Sequence, residues 1–251
     1  MTSPFVVDYV AALADRALVL SHRLTECLTH APEIEEEVAL ANIALDLLGQ
    51  ARVLYARAGE LEGMGRTEDD FAYWRTDQEF RSPLLVEEPN GDFAHVMMRQ
   101  FLHDAWAIEL WTSLRGSCDE TVAGVAAKAV NETAYHLRHS SAWVRRLGDG
   151  TDESHARVQR ALDGLWWLTG ELFEVLASDR EAVSAGIGVD PESLRQGWMS
   201  RVGSVLSEAG LTIPAVSYMA TGGRSGSHSE ALSRMLAEMQ SVARAHPGAA
   251  W

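Results

Sequence analysis

Asp46, Asp104, Glu132, His136 and Glu171 each fall inside a stretch that is otherwise rich in apolar residues. A carboxylate taken out of water needs a partner, because stranding its charge in an apolar interior is costly. Carboxylates and an imidazole spread over several helices are the donor chemistry of a carboxylate-bridged di-iron centre. Such a centre draws a single carboxylate from each of two helices and a Glu-x-x-His pair from each of two others.

The inventory for that centre does not close. Asp46 and Asp104 supply single acids, but the residue three after Asp104 is Ala107 rather than His. His136 follows Glu132 by four positions, and Glu171 is followed three later by Glu174. Asp92 to His95 and Asp152 to His155 have the three-residue offset, yet both lie beside turn glycines where helices begin. Asp46, Asp104, Glu132, His136 and Glu171 are therefore expected to be relics of a metal site, with no metal and no catalytic residue in this chain. Asn42, Asp46 and Gln50 recur every four residues, a stripe expected to face the bundle interior, where Asp46 is met by a cationic or hydrogen-bonding group of a facing helix. A self-sufficient di-iron oxidase built on the same five residues stays open as an alternative.

The elements that would position these groups are helical. Residues 33–61 carry apolar side chains around nearly the whole circumference, which predicts a central, buried helix, with Glu33, Glu35, Glu36 and Glu37 favourably placed at its positive end. Helical periodicity also covers 5–29, 93–116, 120–147, 152–178 and 192–209, with a final helix after the glycine-rich string 221–226. Residues 62–92 form an excursion rich in turn signals. Its Phe71, Tyr73, Trp74 and Phe80, mixed with Arg75 and Arg81, suit either a contact surface or a cap on the bundle. The expected fold is all-α, a four-helix bundle of ferritin-like type with additional helices at the N- and C-terminal ends, forming one domain over 1–251.

A net charge of -15 and a pI near 5.0, with no basic run, argue against nucleic-acid or anionic-membrane binding. Cys27 and Cys118 make no disulfide framework, and the first twenty residues lack a basic leader or an apolar span of membrane length, so a cytoplasmic location is expected. Eight tryptophans suit a large packing interface.

Longer strings are more specific than any of these patterns. LANIALDLLGQARVLY at 40–55, LLVEEPNGDFA at 84–94, AYHLRHSSAWVRRLGDGTDES at 134–154, and TGGRSGSHSEAL with MLAEMQ and the terminal PGAAW resemble the C subunits of bacterial phenylacetyl-CoA epoxidases, over essentially the whole chain. The resemblance implies a non-catalytic, structural subunit of a multicomponent monooxygenase in aerobic phenylacetate degradation. It would pair tightly with a homologous catalytic A subunit that holds the di-iron centre. A partner reductase with FAD, an iron-sulfur cluster and NADPH would supply electrons. The resemblance also implies that Glu79, Phe80, Arg81 and Ser82, and Arg180, Glu181 and Ala182, lie near the CoA thioester, so that phenylacetyl-CoA is a candidate ligand. A CoA-thioester binding module without an oxygenase partner is the third reading.

Overall fold

The computed structural model describes residues 3–249, so the first two residues and the last two of the PGAAW string lie outside it. Eleven helices follow in order: α1 (Pro4–Thr25), α2 (Ile34–Glu62), α3 (Glu68–Tyr73), α4 (Leu84–Glu87), α5 (Phe93–Leu114), α6 (Glu120–Gly148), α7 (Asp152–Leu165), α8 (Ala177–Ser184), α9 (Arg195–Glu208), α10 (Glu230–Met239) and α11 (Ser241–Ala245). There is no β-strand among the described residues.

Their ends follow from capping chemistry. Asp92 caps α5 by accepting from the amide of His95, and Asp119 caps α6 by accepting from Thr121 and Val122. Asp92 and His95 thus form a cap rather than a ligand pair. A Thr151–Ser154 capping box opens α7. Gly63, at φ 71°, closes α2 in the left-handed conformation that a side chain would oppose.

The bundle consists of two antiparallel hairpins. Along α1 and α2, Ser21 donates to the carbonyl of Ala44 and Tyr55 donates to Asp15. Along α5 and α6, Phe93 meets Trp143 edge to face and Ser140 donates to Asp104. α2 and α6 join the hairpins on one side, and Arg16 reaching His103 links α1 to α5 on the other. The N-terminal helix is therefore one of the four bundle members rather than an addition.

The segment 152–178 is not one helix. It breaks at Leu165 into two short 3-10 turns, Trp166–Leu168 and Gly170–Phe173, before α8. Trp166 turns inward onto Trp198, and Gly170 lies so close to Met219 that a Cβ there would come within 2.6 Å of the methionine Cβ. The loop carrying Met219 and Ala220 packs against these turns, the Ala220 amide donating to the carbonyl of Trp167.

The aromatic excursion folds inward around an ion pair. Arg75, nearly buried, donates to both oxygens of the fully buried Asp15, to the Tyr55 hydroxyl at 3.2 Å and to the carbonyls of Phe71 and Glu79. The same guanidinium lies 4.2 Å above the Phe80 ring. Phe71 and Phe80 are core residues, Tyr73 is half-buried, and of these four aromatics Trp74 alone remains largely exposed. This packing is a cap on the bundle, not an aromatic contact surface.

Arg75→Met should destabilise the fold by about 3–5 kcal/mol, because it leaves a buried carboxylate unpaired. In urea unfolding, adding Asp15→Asn should return part of that loss, so that the double variant loses less than the sum of the singles.

Candidate functional site

The five candidate donors are distributed over three separate settings. Asp46 and Glu132 lie on the seam between α2 and α6. There Glu36 accepts from His139 Nε2 and Trp143 Nε1, each at 2.8 Å, and Asp46 meets His136 Nε2 at 3.0 Å. Gln50 donates to Glu132 at 3.0 Å, and Lys128 pairs with Glu132 at 2.9 Å. The seam is thus a ladder of polar rungs. Burial pushes the His136 imidazole down, against the pull of Asp46.

Asp104 belongs to the bundle interior. Its carboxylate accepts from Gln100 at 2.6 Å and Ser140 at 2.9 Å, and it faces His103 Nδ1 at 3.3 Å. His103 Nε2 lies 2.7 Å from Arg16 Nη1. A guanidinium can only donate, so Nε2 carries the lone pair and Nδ1 carries the proton directed at Asp104. Burial and the neighbouring Arg16 charge hold His103 neutral, well below the usual histidine range, and burial pushes the Asp104 carboxyl well above the carboxylate range. Arg16 stacks between Trp106 and Trp111, 5.0 and 5.2 Å from their ring centroids. Burial lowers this guanidinium to about 10.

Glu171 is elsewhere. It sits on the second 3-10 turn, and its carboxylate accepts from the backbone amides of Leu84, Gly222 and Arg224. Burial raises its pKa, with those amides opposing the shift. Glu171 is therefore a staple that ties the glycine-rich string to the excursion, not a position beside Asp46 or Asp104. Gly223 and Gly226 permit this, since a Cβ at either would collide with the backbone of Ser82 or Gln78.

Among the described residues, no three His, Cys, Asp or Glu side chains converge as a metal site. The donor sets present do not fit a di-iron centre, because each acid is already engaged by protein groups and the imidazoles answer single carboxylates. The expected CoA-thioester contacts also separate. Phe80, Ser82 and Ala182 are fully buried in this chain, whereas Glu79, Arg180 and Glu181 are exposed and Arg81 is half-buried.

α2 departs most from expectation. It is not buried all round: Ile34, Val38, Leu45 and Val53 are 72, 56, 64 and 46% exposed. Helical geometry puts these four on one side. Asn42 is exposed beside them, Asp46 is half-buried, and only Gln50 of the polar stripe reaches the interior. Tyr135 on α6, 46% exposed, lies on the face that borders this ridge. α2 is also the one described helix long and apolar enough to span a membrane.

The phenylacetic acid catabolic protein family matches residues 2–251. The chain belongs to that family. It is 47% identical over 243 residues to the C subunit of the 1,2-phenylacetyl-CoA epoxidase of Escherichia coli strain K12, covering 97% of this chain and 98% of that protein. The ferritin-like, all-helical class follows from family and structure together.

Asp15, Arg16 and His103 were missed as functional candidates. The signal was present in ADRAL at 14–18, where two adjacent charges interrupt an apolar helix. His103 should make stability sensitive to acid. The unfolded imidazole takes up a proton near pH 6.5 and the folded one does so only well below that, so its contribution is complete above about 6.5 and is lost as pH falls. Urea unfolding from about pH 7.5 to about pH 5 should therefore show a shallower acid loss in His103→Gln than in the wild type.

Proposed function

We propose that this chain is the non-catalytic partner in a phenylacetyl-CoA 1,2-epoxidase, acting in aerobic phenylacetate catabolism in the cytoplasm. It pairs with a homologous catalytic A subunit, which carries the di-iron centre. Electrons reach that centre from NADPH through a reductase holding FAD and an iron-sulfur cluster. This chain supplies a scaffold: its own acids are engaged by protein groups, and its interior presents a guanidinium where a metal would need open donors.

The observation that carries this reading is the open apolar ridge of α2 in a chain that matches an epoxidase C subunit over 97% of its length. Large apolar side chains held in water along one helix face mark an interaction surface rather than a core. The polar rungs at its edge would give such an interface its register.

Co-expression tests the reading directly. The catalytic partner should co-purify with this chain and epoxidise phenylacetyl-CoA only in the complex. Leu45→Arg and Val38→Arg should each reduce co-purification at least about tenfold while leaving the thermal stability of the isolated chain nearly unchanged, as expected for exposed positions. Full epoxidase activity of the catalytic partner by itself, or stoichiometric iron in the isolated chain, would overturn the proposal.

A further inference from the structure

Between α1, α5 and α8 lies a small cavity of about 30 Å³ that none of the roles above uses. Its polar wall is made by Tyr9, Arg16, Arg81, Asp179 and Arg224, and the rest is apolar, with Leu13 and Trp106 prominent. The volume admits one or two water-sized particles and excludes an organic ligand.

The guanidiniums around it are unequally engaged. Arg224 donates to the carbonyl of Glu174 and to Asp179, each at 2.7 Å, and Asp179 also accepts from the amide of Leu176. Arg81 donates through Nη1 to the carbonyls of Gln78 and Phe80. Arg16 is 1% exposed; Nη1 serves His103, while Nε and Nη2 have no partner among the described residues. Tyr9 accepts from the amide of Val189 at 3.3 Å, and burial keeps its phenol protonated, so its O–H is a further donor. The lining therefore holds three cationic side chains against one carboxylate, with unpaired donors on the most buried cation.

We infer that this cavity is a binding site for a small monovalent anion of chloride size, held by Arg16 Nε and Nη2 and the Tyr9 hydroxyl. Water could satisfy the donors, but only an anion also balances the excess charge in this partly open, largely apolar cavity. A neighbouring hollow of about 200 Å³, lined by Phe5, Asp8, Ser178 and Ser225, shares Ala12, Arg81 and Arg224 with the cavity.

Bromide is the probe. Crystals of the full chain grown without halide and soaked in sodium bromide should show an anomalous peak bonded to Arg16 Nε and Nη2. In solution, thermal stability should rise with sodium chloride, relative to sodium gluconate at equal ionic strength, and saturate in the millimolar range. Tyr9→Phe should weaken the chloride response about fivefold, the effect of one lost hydrogen bond. Arg16→Gln should abolish it; should that variant not fold, the Tyr9→Phe comparison and the bromide map still decide. Water alone in the bromide-soaked cavity, equal stability in chloride and gluconate, saturation only at molar salt, or an unchanged chloride response in Tyr9→Phe would each overturn the assignment.

Discussion

The Asp15 carboxylate is shut off from water in the middle of α1, and the fold is arranged to answer it. Arg75, Tyr55 and the amide of Arg81 all donate to this one group. The excursion from α2 to α5 must therefore fold back onto the bundle, bringing Phe71 and Phe80 with it. The adjacent Arg16 points about 100° away around the same helix and so meets different neighbours, His103 and the two tryptophans on α5. One pair of consecutive residues thus ties α1 to the cap on one side and to the second hairpin on the other. Removing the Asp15 charge leaves the nearly buried Arg75 unpaired, which is a larger penalty than losing a packing contact.

The opposite side of the bundle is built on another balance. α2 and α6 meet through Glu36, Asp46, Gln50 and their partners rather than through a continuous apolar zipper. Polar rungs set register on this seam, while Leu40, Ile43, Leu47 and Leu54 of α2 pack into the core and Ile34, Val38, Leu45 and Val53 stay on its outer face. The chain is held by the α1–α2 and α5–α6 hairpins, and the apolar ridge of α2 is exposed.

Much of this was legible in the residues. The long helices α1, α2, α5 and α6 follow from periodicity and caps, and the missing imidazoles after Asp104 and Glu171 were visible as Ala107 and Glu174. The break at Leu165 was not legible, because Leu162, Leu165, Trp166, Leu168 and Leu172 keep an acceptable helical pattern, and the loop that packs against the following turns comes from residues far along the chain. The circumference of α2 misled for a similar reason. Apolar residues on every side are compatible with a core helix or with a helix whose outer face awaits a partner.

The sequence by itself determined the all-helical class, the approximate extents of α1, α2, α5 and α6 and the absence of two correctly spaced Glu-x-x-His pairs, since periodicity, capping and three-residue spacing are local properties. Only the tertiary structure decided which charges meet. Arg16 with His103, Asp15 with Arg75, and Glu171 with the amides of Leu84, Gly222 and Arg224 join residues 51 to 87 positions apart. Such pairings depend on how helices pack, and a carboxylate looks the same along the chain whether a metal, a guanidinium or a backbone amide will answer it.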